Sequence, residues 1–165
     1  MIPGTVRLVR TAMRLLRKLT LLAFAAVVAA LAQPVVAANE VTSMDAFLWQ
    51  NRPVLVFVPA ADHPLLAAQR AALSGEAPGL NDREIIVIEV VGSDVTVDGW
   101  AAPGLAAARL RQRYRVGEGE AAALLVGKDG GVKMRQVGAL STDALYPTID
   151  AMPMRRQEMR ERGGT

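Results

Sequence analysis

The chain has 165 residues, of which 52% are hydrophobic, 19 are basic, 16 are acidic and none is cysteine. A protein without cysteine has no disulfide, no catalytic thiol and no thiolate metal site. Five of the basic residues lie within the first 38 positions, which leaves 14 basic against 16 acidic residues and a net charge of −2. The overall charge of +3 therefore does not indicate a nucleic-acid partner.

The first 38 residues have the pattern of a secretory signal peptide. Basic residues up to Lys18 precede an apolar run from Leu19 to Ala32, and a stretch of small residues ends at Ala38. A cationic segment, an apolar segment and a small-residue cleavage site together are typical of export signals. The apolar run is also shorter than the roughly 20 residues that span a bilayer. We expect cleavage near Ala38–Asn39 and no stable membrane span afterwards; the alternative is an uncleaved membrane anchor.

Residues 39–165 have the length of one domain, and their first half predicts two strands and two helices. A capping residue followed by proline marks the start of the second helix, and continuous apolar runs mark strands buried on both faces. The predicted elements are a short helix from Thr42 or Ser43 to Trp49, a strand at Val54–Val58, a helix from Asp62–Pro64 to Leu73, a strand at Ile85–Val90 and a long polar loop from Gly92 to Gly104.

The second half predicts a helix, a β-hairpin and a final helix with a charged tail. The Asp-Gly pair within Gly127–Gly131 predicts a hairpin turn, and we expect Lys128 to be solvated at the edge of that turn. The predicted elements are a helix at Leu105–Arg115, strands at Ala122–Val126 and Val132–Val137, a helix at Asp143–Asp150, and a polar, exposed tail at Met154–Arg162 that can continue as helix after Pro153.

The resulting order is β-α-β-α-β-β-α. A β-α-β unit requires two parallel strands, and a closing hairpin requires an antiparallel pair. The sequence therefore predicts an α/β domain over residues 39–165, with a four-stranded mixed sheet and helices on both faces, which is the thioredoxin-like arrangement.

Three segments resemble the bacterial DUF4174 family: Asn51–Phe57 (NRPVLVF), Leu125–Lys133 (LVGKDGGVK) and Ile149–Arg155 (IDAMPMR). The resemblance extends from about Met44 to Met159. It implies a thioredoxin- or peroxiredoxin-like domain, similar to domains of animal secreted matrix proteins, and it implies no particular activity. A bacterial source with two membranes would place the exported protein in the periplasm.

The joint between the first long strand and its helix is the first candidate site. Thioredoxin-like enzymes place their reactive cysteine there, because the helix amino terminus stabilises a thiolate. In this chain the joint carries Asp62 and His63, the only histidine. These residues either cap the helix or line a relic groove that binds a ligand. No catalytic residue and no cofactor is predicted, since a single histidine does not build a typical zinc site and none of the four serines lies in a Gly-x-Ser-x-Gly motif.

Four alternating arginines between Arg109 and Arg115 form two stripes, Arg109 with Arg113 and Arg111 with Arg115. We interpret them as a solvated helix surface, with an anion-binding surface as the alternative. In the tail, Arg155 and Arg156 are candidates for binding a ligand or partner.

Met152, Met154 and Met159 are weak candidates for a copper site, because thioethers bind Cu(I). Flexible methionines that fill gaps in the core are the alternative interpretation. The sequence thus favours an exported, non-catalytic domain that binds an unknown protein or small ligand in the cell envelope. A degenerate redox enzyme of peroxiredoxin lineage and a methionine-based copper-binding protein are the alternatives.

Overall fold

The computed structural model describes residues 41–163, which form a six-stranded mixed sheet with helices packed on it. The signal peptide predicted for the first 38 residues lies outside the described residues. The strands are β1 (Arg52–Val58), β2 (Ile85–Val91), β3 (Asp94–Val97), β4 (Trp100–Ala101), β5 (Ala122–Val126) and β6 (Val132–Gln136). The helices are α1 (Pro64–Ala72), α2 (Ala77–Asp82), α3 (Ala107–Tyr114), α4 (Thr142–Asp150) and α5 (Pro153–Gly163).

Strand β1 lies at the centre of the sheet, whose order is β4-β3-β2-β1-β5-β6. It pairs in parallel with β2 and antiparallel with β5, and every residue of β1 and β5 is buried. Continuous apolar runs suit these two strands because both of their faces are covered. The predicted parallel pair and the predicted β5–β6 hairpin are confirmed.

The prediction of four strands is wrong, because the polar stretch after Gly92 folds into the antiparallel strands β3 and β4. Val95 and Val97 alternate with polar residues in this stretch and pack against the core. Asp98 and Gly99 both have positive φ, which closes the tight turn between the two strands. The alternation covers only four residues, too few to stand out from a loop in the sequence.

Two apolar cores lie on the two faces of the sheet, since successive residues of a strand point to opposite faces. Leu55 and Phe57 belong to the core under α3, where Leu110 packs. Val54 and Val56 belong to the other core, to which α1 and α4 contribute side chains. The predicted presence of helices on both faces is confirmed.

The helix predictions are right for α1, α3 and α4, and the tail continues as α5 after Pro153. The predicted amino-terminal helix is only a 3₁₀ turn, Met44–Phe47, and α2 was not predicted. Among residues 41–163, no helix is long and apolar enough to cross a bilayer.

Candidate functional site

The joint after β1 carries a helix cap. The Nδ1 atom of His63 accepts a hydrogen bond from the backbone N–H of Leu65 at 3.2 Å, and Pro64 occupies the first helical position. This geometry satisfies one of the free N–H groups in the first turn of α1. Asp62 is exposed beside it. Capping by His63, the first of the two sequence interpretations, is therefore what the structure shows.

A cavity of about 520 Å³ opens at this same carboxyl end of β1. Gly92, in its lining, donates its N–H to the carbonyl of Val58, the last residue of β1, at 3.0 Å. The lining consists of Gly92, Ser93, Ala106, Ala107, Ala108, Arg111 and Glu118. The predicted site residues Asp62 and His63 are not part of it. The turn after β2, the first turns of α3 and the loop that follows α3 form the cavity instead.

Arg111 is the cationic residue in the wall of this cavity, and it is only 5% exposed. Its Nη2 donates to the carbonyl of Val58 at 2.9 Å, and its Nη1 donates to the carbonyls of Gly117 at 2.9 Å and Glu120 at 3.3 Å. The guanidinium carbon lies 5.5 Å from the centre of the Phe57 ring. The prediction of a solvated stripe is wrong for Arg111, because its side chain turns inward to the end of β1.

The amino terminus of α3 faces the same cavity. Ala106 is the N-cap residue, and no side chain caps the helix. The first N–H groups of α3 therefore have no side-chain partner, and the positive end of the helix dipole lies at the cavity wall. Ala107 and Ala108, in the first turn, also line the cavity, and their small side chains leave the space open.

A second cavity of about 360 Å³ adjoins the first through Arg111 and Glu118, and Arg115 also lines it. The loop between α3 and β5 contributes Gly117 and Glu118 to its lining, and the N–H of Gly117 donates to Oε2 of Glu120 at 3.0 Å. Two arginines and one glutamate thus set the charge around this end of the sheet.

At the opposite end of β1, a buried ionic cluster joins all three segments that carry the family resemblance. Arg52, from the first segment, and Lys128, from the second, each place a nitrogen 2.9 Å from Oε1 of Glu158 in α5. Both also pair with Glu84, and Nη1 of Arg52 lies 3.5 Å from Oε2 of Glu84. Arg52 is 1% exposed and Lys128 is 8% exposed. The prediction that Lys128 is solvated is wrong, because these two carboxylates hold its ammonium group inside.

Arg155, from the third segment, extends this cluster and is 3% exposed. Its Nε lies 3.2 Å from Oδ1 of Asp150, and it also pairs with Asp82. The prediction of an exposed tail is therefore wrong at Arg155, whose guanidinium is held inside by these ion pairs. Arg156, the other binding candidate in the tail, is exposed. Arg155 thus attaches α5 to the rest of the domain.

The two carboxylates at the centre of these pairs have lowered pKa values. Burial raises the pKa of Asp150, but hydrogen bonds from Arg83 and Arg155 outweigh it and leave the pKa below its ordinary value. Burial likewise raises the pKa of Glu158, and hydrogen bonds from Arg52 and Lys128 lower it by more. Both side chains therefore stay ionised to more acidic pH than they would in an unfolded chain.

The structure brings together two of the three methionines proposed for copper. Met152 and Met154 line a cavity of about 250 Å³, and Met159 is not part of its lining. Lys128, Lys133 and Asp129 line the same cavity, and Lys133 pairs with Asp129 at 2.7 Å. Within residues 41–163, no group of three or more histidine, cysteine, aspartate or glutamate side chains is placed to hold a metal ion.

Sequence reasoning did not single out Arg111 from its neighbours. Arg109 and Arg113 are exposed, as predicted, and Arg113 pairs with Asp45 at 3.2 Å. Helical spacing is the feature of the sequence that indicates burial of Arg111. Arg111 follows Ala107 by four residues and lies beside the face that carries the core residues Leu110 and Tyr114.

Known proteins resemble this chain over most of the described domain. The family described as "Domain of unknown function (DUF4174)" matches residues 43–158. The sushi repeat-containing protein SRPX of Rattus norvegicus is 32% identical over 120 residues, which cover 70% of this chain and 26% of that protein. The human SRPX protein has the same identity and coverage.

Coiled-coil domain-containing protein 80 of Danio rerio is 28% identical over 130 residues, which cover 68% of this chain and 15% of that protein. The chain thus spans about a quarter or less of the length of these relatives. Among solved structures, thioredoxin peroxidase I of Plasmodium yoelii matches 74% of this chain and 81% of its own chain, with a TM-score of 0.46 and 17% identity. Because the family match covers well over half of the sequence, this chain belongs to the DUF4174 family, a domain of unknown function.

Proposed function

We propose that this protein is an exported, non-catalytic binding domain with a thioredoxin-like fold, and that the cavity at the carboxyl end of β1 is its ligand site. The observation that carries the proposal is the buried guanidinium of Arg111 in the wall of a cavity of about 520 Å³. Small-molecule sites have volumes of about 300–1,000 Å³, with a few fixed polar groups in a mostly apolar lining. The alanines of α3 supply such an apolar wall.

The strand arrangement supports the thioredoxin-like part of the proposal. The four predicted strands occur in the order β2-β1-β5-β6, with β1 and β2 parallel and β5 antiparallel to β1. Ligands of open α/β sheets commonly bind beyond the carboxyl ends of parallel strands, which is where this cavity lies.

The chemistry of the sequence supports binding rather than redox catalysis. Thioredoxin-like enzymes need a thiol at the joint after the first strand, and here that joint carries Asp62 and His63 in a chain without cysteine. His63 uses its Nδ1 to cap α1. The degenerate redox alternative therefore has no thiol at its expected position.

The binding role is tested by capture from the cell envelope. The full chain, tagged at its carboxyl terminus, is recovered from its native host, and co-purifying small molecules and proteins are identified by mass spectrometry. Ala108→Trp fills the cavity from an exposed helix position, and Arg109→Trp places the same side chain one residue away, outside the lining. We expect a ligand that is retained by wild type and by Arg109→Trp and lost from Ala108→Trp.

Three outcomes contradict the proposal. One is recovery of the same ligands with all three proteins, and another is the absence of any ligand or partner. The third is a partner lost only from Asp62→Ala/His63→Ala, which would move the site to the helix cap.

Export to the periplasm is the localisation part of the proposal, and the pattern of the first 38 residues supports it. Fractionation of the native host and amino-terminal sequencing of the recovered protein test it. We expect a periplasmic protein that begins near Asn39. A cytoplasmic protein that retains Met1 would contradict export.

A further inference from the structure

We infer that the cavity at the carboxyl end of β1 binds a small organic anion, whose carboxylate or phosphate oxygens contact Arg111 and the amino terminus of α3. The inference rests on the proposed function, because it assigns a chemical class to the ligand of that same cavity.

The first argument is the missing counter-ion of Arg111. Four cationic side chains are buried in the described domain: Arg52, Arg111, Lys128 and Arg155. Three of them have a carboxylate within 3.2 Å. Arg111 has none within 4.0 Å in residues 41–163, and its three hydrogen bonds all go to backbone carbonyls. A buried charge is disfavoured unless an opposite charge compensates it, and a ligand anion would supply that charge.

The second argument is the number of donors that remain on Arg111. A guanidinium carries five N–H groups. Two are used by Nη1, for Gly117 and Glu120, and one by Nη2, for Val58. The Nε–H and the second N–H of Nη2 have no acceptor among the described residues. They remain for a ligand, and a guanidinium can donate to two oxygens of one carboxylate or phosphate.

The third argument is the uncapped amino terminus of α3. Ala106 offers no side-chain oxygen, so the N–H groups of Ala107 and Ala108 have no side-chain partner. Ala107, Ala108 and Arg111 all line the same cavity. Helix amino termini bind anions because their N–H groups and dipole both favour negative charge. Helix and guanidinium thus present donors to one cavity.

The lining also limits what the anion can be. The volume of about 520 Å³ exceeds what a single inorganic ion fills, so an organic body accompanies the charged group. Glu118 lines the same cavity and repels a second negative charge placed beside it. The apolar alanines cover the remaining wall. These features fit a small molecule with one anionic group and a mostly uncharged body.

The test is an NMR titration of the purified protein with sodium acetate and with sodium phosphate, at constant ionic strength, and with neutral acetamide for comparison. We expect saturable shifts of the Ala107 and Ala108 amide signals and of the Arg111 Nε signal with at least one anion, and none with acetamide. The anion that binds more tightly distinguishes a carboxylate from a phosphate ligand. No saturable shift at these signals up to about 50 mM of either anion would overturn the inference.

Two matched pairs of variants connect the binding to this site. Arg111→Gln should weaken anion binding at least tenfold, whereas Arg109→Gln, which removes an exposed charge from the same helix, should change it less than twofold. Equal weakening by both variants would indicate a general charge effect and overturn the inference.

The second pair remains informative if Arg111→Gln does not fold. Ala108 is exposed in the first turn of α3, where an acidic side chain is compatible with the helix. Ala108→Asp places a carboxylate at the cavity and should weaken anion binding at least tenfold, whereas Ala108→Asn, of equal size, should weaken it about threefold at most. Equal effects of the two would overturn the inference.

The two proposals fail in distinguishable ways. A neutral ligand captured from the envelope and lost from Ala108→Trp, together with no anion binding, would overturn the anion inference and leave the binding function standing. Saturable anion binding at Arg111 that Ala108→Trp leaves unchanged would instead contradict the cavity as the ligand site.

Discussion

Glu158→Gln should destabilise the domain by about 3 kcal/mol, because it removes a partly buried negative charge that two buried cations share. Oε1 of Glu158 lies 2.9 Å from Nη2 of Arg52 and 2.9 Å from Nζ of Lys128, and the Glu158 side chain is 17% exposed. Glutamine has nearly the same shape, so the change acts on charge and hydrogen bonding rather than on packing.

The magnitude follows from the cost of losing the carboxylate and from the ion pairs that remain. Each hydrogen bond to a charged group contributes about 1.5–3 kcal/mol, and removing one partner from a buried ion pair costs about 3–5 kcal/mol. Glu84 still pairs with both cations, Arg52 at 3.5 Å, so neither is left without a carboxylate. The lower end of the range, about 3 kcal/mol, is therefore expected. It is a large share of the 5–15 kcal/mol that stabilise a typical domain.

The assay is urea unfolding at pH 7 and 25 °C, followed by circular dichroism, with Glu161→Gln as the control. Glu161 lies one turn further along α5, is exposed, and accepts a hydrogen bond from Gln157 at 2.9 Å. The control should change the free energy of unfolding by less than about 0.5 kcal/mol. A loss below about 1 kcal/mol for Glu158→Gln, or equal losses for both variants, would refute the role assigned to the cluster.

Three further predictions concern pH, a helix cap and a buried amide. The fold lowers the pKa values of Asp150 and Glu158, so the stability that these carboxylates give the folded state is complete above their ordinary pKa values near 4 and is lost as pH falls through the lower folded values. Urea midpoints at pH 7, 5, 4 and 3 should show this decline, and a flat profile would contradict it. His63→Ala removes the Nδ1 cap of α1 and should lower the free energy of unfolding, measured by thermal unfolding, by about 1 kcal/mol. His63→Asn, which keeps a capping side chain, should retain most of that stability, and equal losses in both variants would rule out the cap. Gln69→Leu should lower the free energy of unfolding by about 2–4 kcal/mol, because leucine leaves the buried N–H and C=O of Leu140 unpaired. In the wild type, Oε1 of Gln69 accepts from that N–H at 2.8 Å and Nε2 donates to that C=O at 2.9 Å; unchanged urea stability would contradict this.

Elements formed by local patterns were predictable from the sequence. The apolar runs at Val54–Val58 and Ala122–Val126 are central strands, and short continuous apolar runs are typical of strands that are covered on both faces. The start of α1 at Pro64 follows from proline chemistry at the first helical position. The short strand Asp94–Val97 was missed because four alternating residues do not distinguish a strand from a polar loop.

Charged residues were the least predictable part of the candidate sites. Lys128 and Arg155 have the composition of solvated side chains, yet both are buried. The carboxylates that pair with Lys128 are Glu84 and Glu158, the first contributed by the segment before β2 and the second by α5. Burial of a charge depends on where its partners lie in space, and residue type alone does not contain that information.

The sequence by itself determined the α/β class, the order of the central elements and the absence of thiol chemistry, because these depend on local periodicity and residue type. Only the tertiary structure decided which arginine of α3 faces inward. Arg111 reaches the carbonyl of Val58, 53 residues away in the chain, at the point where β1 ends. Arg109, two residues earlier on the same helix, remains in solvent. The difference arises because Arg111 lies beside the core face of α3, and the packing of that face on the sheet brings its side chain to the end of β1.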